Sequence, residues 1–272
     1  DRSRYTVARC IPGKATYVAG QGCRLRYELE VKDAASGQSL LPLVNARVFA
    51  QRQQCDLYLR DHLAPLAELM RGRDEIAPFA KPVAVLAPLS MTVAVFPIDG
   101  DLPALVTATN HQAMSAILNE MPELREGDFA LDELRIDLAH YPRRGRCVLR
   151  YTLYAHKRDG ARPWRQVVYG KLLSEGDGAV AGRLSAALQQ RVRQNPRAFQ
   201  FSLPRLWGYR ADMRLALLEA LPGVPQLSQL LKRRLRGIDD DDEEALTLED
   251  ALTIAGSIAS ALHGSGVSAR RR

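Results

Sequence analysis

The sequence predicts an α+β protein: two tandem modules, each an antiparallel sheet carrying one helix, with a helical lobe beginning behind them. Three observations predict it. Tyr17, Cys23, Leu25, Arg26 and Tyr27 recur without a gap as Tyr141, Cys147, Leu149, Arg150 and Tyr151, an offset of 124 residues. That is too long for a solenoid unit and is the mark of a duplicated domain. In each copy the apolar pattern then runs strand, strand, helix, strand, strand. Beyond Leu218 the strand pattern gives way to a turn-rich connector and helical spacing.

Taken in order, the first copy has apolar runs at 23–31 and 44–50 on either side of the polar turn 33–38, which makes an antiparallel hairpin. A helix is expected over 57–70, then strands at 83–86 and 91–96. The stretch 110–121 has helical spacing at Met114, Ile117, Leu118 and Met121, so it should form a connecting helix packed between the modules. The second copy repeats the series with strands at 147–155 and 166–173, a turn at 156–162, a helix at 179–193, and strands at 205–209 and 213–218. Each copy thus folds as a small sheet with one helix packed on it. A short amphipathic helix follows at 227–235, then the acidic run 239–244, which reads as a solvated loop or helix start. A long helix at 248–262 has Thr247 as N-cap and Asp250 as a box-like partner.

At 272 residues with 46% hydrophobic content, the chain can bury two cores. Its net charge of +7 comes mainly from arginine, which suits planar contacts to phosphate or carboxylate. The clusters Arg143, Arg144, Arg146 and Lys232, Arg233, Arg234, Arg236 lack the interleaved aromatics that stack bases, so no nucleic-acid partner is expected. Cys10, Cys23, Cys55 and Cys147 show no metal-ligand spacing and read as buried small hydrophobes in a reducing compartment. The five histidines, at 62, 111, 140, 156 and 263, show no ligand spacing either. Trp164 reads as a turn anchor and Trp207 as a core residue at a strand end. No apolar run is long enough to span a membrane and no secretory leader opens the chain, so a cytoplasmic protein without a membrane partner is expected. Both ends are expected to be cut, with a lobe that begins at the last helix and stops.

The second copy holds the parts of a phosphate cradle. Arg143, Arg144, Gly145 and Arg146 make a basic turn ahead of the strand at Cys147, where backbone amides and guanidinium groups can approach phosphates. Lys171 is a lone charge inside the apolar run 167–173 and must reach a partner or solvent. Glu219 ends the last strand where the chain leaves one lobe for another, and a crevice between lobes is a common ligand site.

Tyr141-Pro142 through Tyr151, then Val168-Tyr169-Gly170-Lys171, Leu203-Pro204 through Tyr209, Leu217-Leu218-Glu219-Ala220-Leu221-Pro222-Gly223, and finally Ile258-Ala259 through His263 carry a family resemblance. In this order and spacing, residues 134–272 resemble the small lobe and the start of the large lobe of the aminoglycoside phosphotransferase family, which has the protein-kinase-like fold. The resemblance implies that Arg143 to Arg146 cover the phosphates of ATP, that Lys171 holds the α and β phosphates, and that Glu219, Ala220 and Leu221 form the hinge against the adenine edge. It implies that the complete protein is a phosphotransferase acting on a small-molecule hydroxyl with Mg2+, whose ligands are expected beyond residue 272. It divides the chain into a degenerate small-lobe-like cap at 1–106, a linker at 107–133, a nucleotide-binding small lobe at 134–223 and the beginning of a truncated helical large lobe at 224–272. The order of cap and lobe is similar to that of maltokinase-like members.

The chain departs from the family in two ways. The helix 179–193 has no acidic residue to pair with Lys171, as kinase-like small lobes require; either Glu175 or Asp177 replaces it, or the pair is missing. The His-x-Asp loop and the metal-binding aspartate are not in this chain, and Asp128-Phe129-Ala130 reads as linker. In the first copy Lys171 becomes Arg47, Glu219 becomes Pro97 and Tyr169-Gly170 becomes Asn45-Ala46, with Glu68 placed to pair with Arg47. A planar guanidinium cannot reproduce a compact ammonium between two phosphates. The rival expectation is a catalytically silent, pseudokinase-like binding or scaffolding module. The acceptor and the oligomeric state are not legible.

Overall fold

A computed structural model describes residues 4–13, 15–19, 22–142, 145–158, 163–174, 178–196, 203–221, 231–232, 235 and 247–267. The chain is an α+β protein with two antiparallel sheets. The first contains β1 (Tyr5–Pro12), β2 (Thr16–Val18), β3 (Gly22–Asp33), β4 (Ser39–Leu40), β5 (Leu43–Val48), β6 (Val83–Leu86) and β7 (Met91–Val95). Its main path runs β1-β3-β5-β7-β6, with the short β2 and β4 paired to β3. The second contains β8 (Phe129–His140), β9 (Arg146–Lys157), β10 (Pro163–Leu173), β11 (Leu206–Arg210) and β12 (Leu215–Glu219), ordered β8-β9-β10-β12-β11. Both main paths have the same topology, in which the last strand in sequence lies inside the one before it. In both, a helix enters between the third and fourth strands. The duplication read from Tyr17 to Tyr27 and Tyr141 to Tyr151 is therefore matched in topology.

The main path of each sheet has one more strand than the apolar pattern suggests, and the first sheet adds the short β2 and β4. In the first it is β1, whose residues are almost all exposed, so no alternation marks it. It is held by its ladder to β3 and by Arg4, whose guanidinium donates to both carboxylate oxygens of Asp33 at 2.9 Å. In the second it is β8, which starts at Phe129 inside the span expected as linker and turns Leu134 and Ile136 inward between the more exposed Glu133, Arg135 and Asp137.

The first module's helix begins earlier than expected, as α1 (Arg52–Tyr58), and widens into a π-helical turn at Leu59–Leu63 before α2 (Ala64–Leu69). Pro65 explains the widening: it has no N–H to give to the fourth residue back, and its ring crowds that carbonyl. The second module's helix is α6 (Gly178–Gln194), which packs on β11 and β12.

Between the sheets lie α3 (Leu105–Ala108), α4 (His111–Asn119) and α5 (Pro122–Arg125). The expected connecting helix is α4, capped by Asn110, whose side-chain oxygen accepts from Ala113 N at 2.8 Å. It does more than connect. Met114, Leu118, Met121 and Leu124 join Leu149, Tyr151, Leu153, Val168, Leu172, Leu215 and Leu217 in one core, and Leu43 and Phe96 of the first module pack on its edge. The first module's own core gathers Val44, Leu63, Leu66, Met70, Val95 and Ile98.

The last helix, α7 (Leu248–Gly264), starts at Thr247 as expected. The cap differs in detail: Thr247 Oγ1 accepts from Asp250 N at 3.1 Å and donates to the Asp250 carboxylate at 2.7 Å, so the acid grips the hydroxyl rather than the cap's backbone. Of the stretch 227–235 only Leu231, Lys232 and Leu235 are described, as helical, and the acidic run 239–244 lies outside the described residues. No described helix is long and apolar enough to cross a membrane.

All four cysteines are free thiols. Cys55 and Cys147 are buried as expected, and burial pushes the Cys147 thiol up to about 12. Cys10 is exposed and Cys23 half-buried, because the strand that carries Cys10 is an uncovered edge. Trp164 stacks between Phe129 and Trp207, at 4.7 and 6.3 Å between ring centres, and Trp207 is buried.

Candidate functional site

Strand alternation decides where Lys171 points. On β10, Val168, Gly170 and Leu172 are buried in the core shared with α4, so Tyr169 and Lys171 lie on the opposite face. Lys171 is half-buried there and stands opposite Val148 on β9 and Ala216 on β12. Arg150 is on the same face, opposite Tyr169, and its buried Nε has no hydrogen-bond partner among the described residues. The face turned away from the first module thus carries two cations on adjacent strands.

The basic turn lies at the same end of this sheet. Gly145 has φ +47°, a conformation that a side chain would strain, and its carbonyl accepts from Ser174 N at 2.7 Å. A Cβ on Gly145 would come within 2.7 Å of the Ser174 side chain. Arg146 opens β9 exposed, opposite Leu173. Ser174 follows Lys171 by three residues, so the turn is pinned just beyond the end of the strand that carries Lys171. Arg143, Arg144, Glu175 and Asp177 lie outside the described residues.

Glu219 ends β12 opposite Val168. Its N–H donates to Arg205 O at 2.8 Å, its carboxylate lies 3.6 Å from Arg205 Nε, and the Ala220 N–H donates to Val167 O at 3.2 Å. Those two N–H groups are thus committed to the sheet and not open to a ligand.

Gly170 has a structural reason. A Cβ there would lie 2.4 Å from the ring of Tyr151 and 3.0 Å from Leu215. Tyr151 is fully buried and its hydroxyl donates to Ala108 O at 2.8 Å. In the first module the matching pair is Ala46 and a half-buried Tyr27, so the glycine accompanies the deeper tyrosine.

The first module's counterpart of this face is not open. Register puts Arg24 opposite Arg47 and Arg26 opposite Asn45, so all four side chains share one face. Tyr141, from the second module, closes over it. Arg26 donates to Tyr141 O and stacks on its ring at 3.9 Å, Asn45 Nδ2 donates to its hydroxyl at 2.8 Å, and that hydroxyl donates to Asp99. Burial pushes the Asp99 carboxyl up, against the pull of the Tyr141 hydroxyl, and lifts Tyr141 well above its usual value. Asp101 takes Arg24 at 2.9 Å and Arg47 at 3.5 Å. The expected relic pair of Arg47 with Glu68 does not form: Glu68 is exposed and pairs with Arg71, while Asp101 has taken its place.

Together these groups enclose a cavity of about 60 Å³ lined by Arg24, Arg26, Arg47, Tyr58, Asp99, Asp101, Tyr141 and Gly145 among others. Sequence reasoning missed this cluster. Its signals were Asp99-Gly100-Asp101 directly behind a strand and arginines alternating along β3. Among the described residues no group of three or more His, Cys, Asp or Glu could hold a metal ion. No protein-family profile matches the chain, and no curated protein or solved structure matches it.

Proposed function

We propose that this chain is the N-terminal part of an ATP-dependent small-molecule phosphotransferase, with the second module as its nucleotide-holding lobe and the first as a cap. One observation carries the reading: Lys171 is half-buried on the sheet face opposite the packed core, at the end where the Gly145 turn is pinned. A lysine so placed presents a point charge to phosphate oxygens, and phosphoryl transfer needs little from the protein beyond such positioning and charge stabilisation. Arg150 adds a second cation to that face. The resemblance places the Mg2+ ligands and the acceptor-orienting aspartate beyond residue 272, and the reading assigns this chain no magnesium ligand. The acceptor is a hydroxyl of unassigned identity.

The second reading is a catalytically silent binding or scaffolding module, favoured by α6, whose sequence GAVAGRLSAALQQRVRQ has no carboxylate to pair with Lys171. ATP binding without transfer, in a chain extended through the following lobe, would support it.

Calorimetric titration with ATP tests the site. Loss of a charge-assisted contact costs about 1.5 to 3 kcal/mol. Lys171→Met should therefore weaken ATP binding roughly ten- to hundredfold, whereas Arg47→Met leaves it nearly unchanged. Equal losses, or a loss at Arg47 alone, would move the nucleotide to the other module.

A further inference from the structure

We infer that the cavity between the modules is a binding site for one phosphate-sized oxyanion. The inference stands apart from the ATP reading, because the cavity faces the first module's arginines and not Lys171.

Three guanidinium groups, from Arg24, Arg26 and Arg47, line the cavity against two carboxylates, from Asp99 and Asp101. The lining therefore keeps a positive excess even with both acids ionised. Arg26 and Asp99 are committed to Tyr141, and Asp101 is drawn to Arg24 at 2.9 Å. Arg47 donates to the Tyr58 hydroxyl but is held more loosely by the acids. Its Nη1 is 3.5 Å from Asp101, at the outer limit of a hydrogen bond, and its Nε is buried with no hydrogen-bond partner among the described residues. The group is nonetheless fixed in place, stacked 4.9 Å from the centre of the Tyr58 ring and 5.0 Å from that of Phe49. A fixed guanidinium with donors to spare matches the paired oxygens of a phosphate.

Size selects among ligands. The 60 Å³ is several times the roughly 10–15 Å³ that one water needs. It is far below the roughly 300–1,000 Å³ of pockets that take drug-sized molecules. A nucleotide does not fit inside, and a single tetrahedral ion does. Water would satisfy the donors but leave the charge excess in a partly enclosed site, where its cost is greatest. Tyr141, Pro142 and Gly145 form the wall supplied by the second module.

The test is calorimetric titration with inorganic phosphate at constant ionic strength, on the parent chain and on Lys171→Met, which removes the lysine proposed for nucleotide phosphates. Both should bind one phosphate saturably. Arg47→Met should lose at least tenfold in affinity for phosphate while binding ATP as the parent does. Arg47→Lys keeps the charge without the fork and should fall between, which covers the case that Arg47→Met fails to fold. The inference is overturned if the parent gives no saturable heat, meaning that the cavity holds only water, or if Lys171→Met alone abolishes it. Equal phosphate affinity in Arg47→Lys and the parent would remove Arg47 from the site.

Discussion

Asp99 shows how a residue with only a faint sequence signal becomes central. Its partners Arg24 and Tyr141 come from stretches far along the chain on either side, so only folding brings them together. Burial raises its carboxyl above the usual value, so the folded chain holds that proton more tightly than the unfolded chain, and the ionised form is a penalty that fades as pH falls through the folded value. Asp99→Asn removes the charge and keeps an acceptor for Tyr141. Urea unfolding should find it more stable than the parent at mildly alkaline pH, with the gap narrowing toward acid; a gap that widens on acidification sinks this account. Gly170 makes the opposite case, since the family resemblance drew attention to it and packing explains it. Gly170→Ala places a carbon against Tyr151 and should destabilise the chain by about 1–3 kcal/mol, read from the shift in denaturant midpoint. A neutral result would mean that the Tyr151 ring has room to move. Lys171 was legible for a simple reason: a lone charge in an apolar run demands an explanation, whereas arginines alternating on β3 look like any solvated strand face.

Among the elements, those with strong period came through and those shaped by their surroundings did not. The strands flanking each hairpin and the helix α4 were readable because apolar residues at fixed spacing face a core. The edge strand β1 has no covered face and so no pattern, and the π-turn before α2 follows from one proline in an otherwise ordinary helix. The weight of α4 in the fold was the least legible point, since a sequence pattern cannot say which core a helix joins. Leu118 is fully buried among residues of the second module's core, so Leu118→Ala should cost about 2–5 kcal/mol. Asn110→Ala removes only a cap and should cost about 1 kcal/mol. Chemical unfolding of the two variants checks the ranking; comparable small losses would make α4 a mere tether.

At the scale of the whole chain, the repeat predicts two modules and the contacts tie them together. Tyr141 belongs to the second module and is buried in hydrogen bonds to Arg26, Asn45 and Asp99 of the first part of the chain. Leu43 and Phe96 pack on the second core. Scanning calorimetry should accordingly show one cooperative transition for both sheets; two well-separated peaks would mean that the junction contributes little. The connector adds an asymmetry between the copies. The second sheet takes Leu102, Leu105, Met114 and Leu118 into its core from the segment that precedes it. An excision starting at β8 would leave that sheet with an open apolar face, and one that kept the connector would still bare Tyr141. Removing the first module should therefore damage the second, so the first contributes to the whole chain's stability even where it does no chemistry of its own.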